Sequence, residues 1–227
     1  EENNLDFPLS EFALKEPNGL LAAGGDLSSE RLISAYRKGI FPWYEDHQPI
    51  MWWSPSPRAV LYLDKLKVSR SLNKRIKRQE FQISCDSQFL EVMRHCANTP
   101  RHGQAGTWIT EDMVAAYAQL HNDGIAHSVE AWFQGSLVGG LYGLAIGKVF
   151  FGESMFSLKT DASKVAFAHL VSQLQAWGFA LIDCQVSNSH LLSLGAEEID
   201  RLQFEKVLAE NIDKNNIDSW KDHWHAS

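Results

Sequence analysis

AHSVEAWFQGSLVGGLYGLAIGKVFFGESMFS, residues 126–157, reads as three consecutive strands. β-branched and aromatic residues crowd it, the kinds that suit a pleated, half-buried surface. Gln134-Gly135 and Gly147-Lys148 interrupt it with turn residues. Strands joined so tightly run antiparallel, so the segment predicts a meander. Downstream, DASKVAFAHLVSQLQAW (161–177) sets Val165, Phe167, Leu170, Leu174 and Trp177 at helical spacing and stops at Gly178. LIDCQV (181–186) then reads as a short buried strand around Leu181, Ile182 and Val186. With a period of two, Asp183 and Gln185 fall on one face of it. A buried carboxylate beside an amide is costly unless both find partners, so the pair is either a satisfied polar network or a chemical tool.

Strands, a helix, then a further strand carrying acid and amide is the order of an N-acetyltransferase-type acyltransferase. The fold class is therefore α+β, with a mostly antiparallel sheet flanked by helices. Upstream, CDSQFLEVMRHCA (85–97) and TEDMVAAYAQLHNDG (110–124) read as helices, the second capped by Thr110 and stopped by Gly124. SRSLNKRIKRQE (69–80) is a short helix with Leu72 and Ile76 inward, capped by Ser69 or Ser71, and residues 59–67 alternate as a strand. The stretch 16–58 holds five of the seven prolines and one clear helix, from Ser28 or Ser29 to Gly39, with Leu32, Ile33 and Tyr36 on one face. This change of texture divides the chain into a small N-terminal α+β domain, 1–60, and a larger domain, 61–227.

The 227 residues are 44% hydrophobic, ample for a packed core, and the net charge of -7 argues against a wholesale basic nucleic-acid binder. Cys85, Cys96 and Cys184 form no C-x-x-C pair, which disfavours a disulfide framework or zinc and fits a reducing cytoplasm. The histidines lack H-E-x-x-H spacing, so no metal is expected. No apolar run approaches the roughly 18 residues that span a bilayer, and the first residues lack a signal peptide's basic and apolar regions. A soluble cytoplasmic protein with no membrane partner is the expectation.

Four features bear on chemistry. Lys65, Lys67, Arg70, Lys74, Arg75, Lys77 and Arg78 occupy 14 positions without an acid, a third of the 21 basic residues. That is a candidate phosphate-binding surface, or else a solvated helix face. Trp43 follows a proline among polar residues and is a better candidate to stack on a ligand than Trp52 or Trp53, which read as packing. Glu153, beside Gly152 among phenylalanines on a central strand, suits a ligand that joins an ammonium to an apolar side chain, or forms an internal salt bridge. Gly152 itself signals a bulge or a close backbone approach. No nucleophile motif is present, so chemistry at Asp183 and Gln185 relies on a nucleophile brought by a substrate, such as an amine. An α-amino group with pKa about 8 needs orientation and modest base help only.

EPNGLLAAGGDLS (16–28), GIFPWY (39–44), WWSPSPRAVL (52–61), GTWIT (106–110), LVGGLYG (137–143), FFGESMFS (150–157) and LIDCQVSNSHLLSLGA (181–196) together closely resemble the leucyl/phenylalanyl-tRNA protein transferase family. The resemblance covers about residues 16–195. It implies a cytoplasmic bacterial enzyme without metal or coenzyme, expected as a monomer, whose larger domain is N-acetyltransferase-like. Such enzymes move leucine or phenylalanine, with methionine a third candidate, from charged tRNA to the α-amino group of proteins that begin with Arg or Lys. The peptide bond so formed marks the acceptor for degradation under the N-end rule. By that resemblance Asp183 and Gln185 are the catalytic pair that orients the acceptor amine, and either they, through a relay, or the tRNA 2'-hydroxyl in their place carries the proton. Glu153 is the carboxylate near the aminoacyl group, Phe150 and Leu141 wall the side-chain pocket, and Tyr36, Trp43 and Trp108 surround the terminal adenosine. The basic cluster meets the tRNA body.

Two rivals remain from the residues alone. An acyl-CoA N-acetyltransferase would show a glycine-rich pyrophosphate turn before the helix at 161, where the chain reads SLKTDASK. A non-catalytic tRNA-binding module would leave Asp183, Gln185 and Glu153 unexplained.

Overall fold

The computed structural model describes residues 5–99 and 109–225. In chain order it contains β1 (Leu20–Ala23), α1 (Ser29–Arg37), β2 (Phe41–Pro42), β3 (Met51–Trp53), β4 (Arg58–Tyr62), α2 (Arg70–Lys77), β5 (Gln82–Cys85), α3 (Phe89–Asn98) and α4 (Glu111–Asn122). Then follow β6 (Ala126–Phe133), β7 (Ser136–Ile146), β8 (Val149–Ser157), α5 (Ala162–Ala176), β9 (Leu181–Gln185), α6 (Ser189–Ser193), β10 (Glu197–Ile199), α7 (Arg201–Asn211) and α8 (Trp220–His223). Side-chain caps fix the helix starts. The hydroxyls of Ser28, Ser69 and Thr110 accept from the amides of Arg31, Leu72 and Met113, each satisfying a donor with no partner inside its helix.

β1, β3 and β2 form a small antiparallel sheet. The larger sheet has seven strands in the order β10-β4-β9-β8-β7-β6-β5. The meander β6-β7-β8 is antiparallel as the sequence predicts, with β8 central. The helix between β8 and β9 carries the chain back so that these two strands pair in parallel, but only over Val149–Phe151 and Leu181–Asp183. Beyond that point β8 runs on to Ser157 without pairing to β9, and the sheet opens. Apolar clusters cover both faces. One unites Tyr36, Phe41 and Trp52 with α3, α4 and α7, and the other packs α2, α5 and Trp220 against Leu141, Phe150 and Ile182.

Three local expectations are corrected. Residues 85–97 are not one helix, because Gln82–Cys85 pairs with β6 as the edge strand β5, and Asp86 then takes φ 52° before the helix begins at Phe89. The strand expected over 59–67 spans Arg58–Tyr62 and then tightens into a 3-10 turn, Leu63–Lys65. Val186 lies past the end of β9 and is 54% exposed. No helix among the described residues is long and apolar enough to cross a membrane.

Candidate active site

The opening between β8 and β9 is a cavity of about 430 Å³. Leu141, Phe150 and Ile182 line its apolar part, Glu153 and Gln185 its polar end, and Trp43, just past β2, part of its wall. A glycine on β7 gives Phe150 its place, since a Cβ at Gly143 would fall 2.7 Å from that ring.

Glu153 is delivered by a bulge. Gly152 pairs with Gly143 and Ser154 with Tyr142, so Glu153 is the extra residue of β8 and its side chain is re-aimed. Its carboxylate accepts from the Tyr36 hydroxyl at 2.7 Å, the Gln185 amide at 2.8 Å and the Tyr117 hydroxyl at 3.2 Å. All three donors are neutral, and Glu153 forms no ion pair among the described residues, which removes the salt-bridge alternative. The residue keeps partial contact with the cavity, yet its carboxyl is enclosed by these partners. Burial therefore pushes it up from 4.5 to about 7, reinforced by the Asp183 charge and opposed by the hydrogen bonds from Tyr36, Tyr117 and Gln185. Burial likewise raises both tyrosines well above their ordinary range, so they stand as neutral donors.

Asp183 and Gln185 do not present together to the cavity, contrary to simple alternation. A register shift sets Val60 opposite Asp183 and Ala59 opposite Gln185, and Gln185 takes φ 63°, the left-handed region that non-glycine residues rarely adopt. Gln185 is thereby turned to the cavity, where it bridges the split to Glu153. Asp183 is fully buried. The Arg58 guanidinium donates to it through two bonds, 2.8 and 2.7 Å, and the Gln185 backbone amide donates at 2.9 Å. Arg58 lies between the rings of Phe41 and Phe204, at 4.9 and 4.6 Å. Asp183 thus lies behind the cavity wall and holds the backbone of Gln185.

The other expected residues separate into groups. Leu141, Phe150 and Trp43 line the cavity. Tyr36 is 0% exposed and meets the site only through its hydroxyl on Glu153, so it offers no face for a base. Trp108 lies outside the described residues. Lys65, Lys67, Arg70, Lys74, Lys77 and Arg78 are exposed on and beside α2, whereas Arg75 is half-buried between Glu80 at 2.8 Å and Asp161 at 3.1 Å. Lys65 is paired with Glu197. Lys65 and Arg75 are thus engaged by acids of this chain and are not free to face a common partner.

Sequence reasoning missed Arg58 and Tyr117. Arg58 had a signal: a cation opening an apolar strand, RAVLY, needs a buried acid, and Asp183 is the acid of another apolar strand. Tyr117 falls with Met113 and Leu120 on the buried face of α4, and nothing local distinguishes it from packing. Among the described residues no three His, Cys, Asp or Glu side chains group closely enough to hold a metal.

A family model described as leucyl/phenylalanyl-tRNA protein transferase matches residues 60–209, and one for the N-terminal domain of that transferase matches 25–56. A leucyl/phenylalanyl-tRNA--protein transferase of Nitrosomonas europaea is 63% identical over 202 residues, 89% of this chain and 85% of that protein. One from Stutzerimonas stutzeri is 56% identical over 221 residues, 97% of each. Among solved structures, that of L-PGS from Bacillus licheniformis aligns with TM-score 0.39 and 13% identity over 71% of this chain and 52% of that one.

Proposed function

This chain belongs to the leucyl/phenylalanyl-tRNA protein transferase family, and we propose that its cavity holds the leucyl or phenylalanyl group of a charged tRNA while an acceptor protein's terminal amine attacks. The observation that carries this reading is the apolar cavity closed at one end by Glu153, whose bonded partners are all neutral. Its volume of about 430 Å³ suits a small ligand. Leu141, Phe150 and Ile182 take the side chain by burial, with methionine as a third fit. Glu153, with a pKa of about 7, becomes fully ionised when the aminoacyl ammonium approaches and pairs with it. Trp43 offers its exposed face to the terminal adenosine, Trp108 is assigned beside it by resemblance, and Tyr36 acts from beneath through Glu153.

The acceptor nitrogen forms a bond to the ester carbonyl carbon as the bond from that carbon to the tRNA 3'-oxygen breaks. The proton lost by the amine ends on that oxygen. With pKa about 8, enough amine is neutral near pH 7 for orientation to dominate. Gln185 supplies a polar contact at the reacting end and Asp183, locked by Arg58, holds its backbone in place. Acceptors begin with Arg or Lys, the enzyme is a cytoplasmic monomer, and the exposed cations about α2 follow the tRNA backbone. The acyl-CoA alternative is disfavoured because Asp161 stands at the start of α5, where a pyrophosphate would need bare amides and no acid.

The test mixes the protein with tRNA charged with labelled leucine and a peptide beginning with Arg or with Ala. Label in the Arg peptide alone is expected. Acylation from acetyl-CoA with none from the charged tRNA would overturn the proposal.

A further inference from the structure

We infer that Glu198 is the carboxylate that selects a cationic first residue in the acceptor, an inference that rests on the aminoacyl-transfer reading above. The acids of the cavity are already committed. Glu153 is the one carboxylate lining it among the described residues, and three donors hold it. Asp183 is sealed against Arg58. An acceptor amine directed at the polar end enters past β9 and the loop that follows it, and its side chain must lie on the rim nearby. Ser187, in that loop, lines the cavity, and its hydroxyl donates to the Glu198 carboxylate.

The sheet register places Glu198 independently of that bond. β10 pairs with β4 and β4 with β9, so that Glu198 lies opposite Ala59 and Ala59 opposite Gln185. Residues directly opposite one another share a face, and adjacent strands are about 4.8 Å apart, so Glu198 stands roughly 10 Å across the sheet from Gln185. Ala59, a small and buried residue, is the one position between them in the sheet. An arginine or lysine side chain whose own α-amine sits at Gln185 spans such a distance. Glu198 is exposed, with one hydroxyl partner and no cation among the described residues, and so retains lone pairs for a guanidinium or ammonium. Its neighbour Glu197 is taken by Lys65.

The test compares transfer from leucyl-tRNA to peptides that begin with arginine or with citrulline, a neutral isostere, using the parent, Glu198→Gln and Ser187→Ala. Expected is a parent preference for arginine in kcat/KM that falls about three- to tenfold in Glu198→Gln and less in Ser187→Ala, which only loosens the carboxylate. Raising salt erodes the parent's preference and leaves that of Glu198→Gln unchanged. An unchanged arginine-to-citrulline ratio in Glu198→Gln, with the parent transferring normally, would overturn this inference and leave the transfer reading intact. A parent inactive toward every peptide with charged tRNA would overturn both.

Discussion

Ionised Glu153 is a cost that the empty protein bears. Its carboxyl titrates at about 7 in the fold against an ordinary 4.5. Below pH 4.5 it is protonated in both folded and unfolded chains and subtracts nothing. Between 4.5 and 7 the unfolded chain ionises first, so stability is lost as pH rises, by at most about 3 kcal/mol and by less given its contact with the cavity. Glu153→Gln keeps the shape without the charge. It is expected to be about 1–2 kcal/mol more stable than the parent to urea at pH 8, equal to it at pH 4, and at least about tenfold slower in transfer. A variant less stable than the parent at pH 8 would show the carboxylate to be at ease without a ligand, and the ammonium-pairing role would fall. Asp183 presents the opposite case, a charge already compensated. Arg58→Met strands it, at an expected cost of about 3–5 kcal/mol, and Arg58→Met/Asp183→Leu recovers most of that stability because neither charge is left buried alone. Both variants lose transfer, since the amide of Gln185 has lost its anchor. Equal instability of the single and double variants in a double-mutant cycle would contradict the positioning role.

Strands and helices were legible where one pattern dominated. The meander showed itself because turn pairs and β-rich runs agreed, α1, α2 and α4 because caps framed a helical period, and α5 because a long helical period ended at Gly178. β5 escaped because QISC is short and lies against a helix whose apolar residues begin only four positions later. The faces of Asp183 and Gln185 were misassigned because alternation assumes an unbroken ladder, and the register shift that reorients Gln185 depends on β4, more than a hundred residues away. The same logic limits the basic cluster. Seven cations in 14 positions were visible, but not that Arg75 is occupied by Glu80 and Asp161, which tie α2 to α5. Neutralising Lys74, Lys77 and Arg78 together is therefore expected to weaken tRNA binding and to flatten the dependence of log affinity on log salt by about one unit for each phosphate that no longer meets a cation. Neutralising Arg75 alone should lower the melting temperature more than it changes that slope. An unaltered slope in the triple variant would make α2 an ordinary solvated helix.

The division near residue 60, which we retain as a proposal, is one of strand pairing and not of core. The small sheet ends at Trp53 and the large one begins at Arg58, yet a single apolar cluster joins Tyr36, Phe41 and Trp52 to Tyr142, Phe151 and Phe204. Arg58 reaches across as well, with Phe41 on one side and Phe204 on the other. The cavity depends on this continuity, because Trp43 and Phe41 wall it from the first unit while Glu153 and Gln185 close it from the second. A wall that undocked independently would open the site to water and, on the proposed reading, weaken the pairing of a bound ammonium with Glu153. Backbone amides of Trp52 and Trp53 should then exchange hydrogen only through the same global opening as those of Phe150 and Ile182, with equal dependence on denaturant. An aminoacyl-adenosine mimic at about 100 times its Kd should stabilise both sets by the same ~2.7 kcal/mol. Faster exchange at Trp52 and Trp53, unaffected by the mimic, would mean that the first unit opens on its own and that Trp43 does not form part of the closed site.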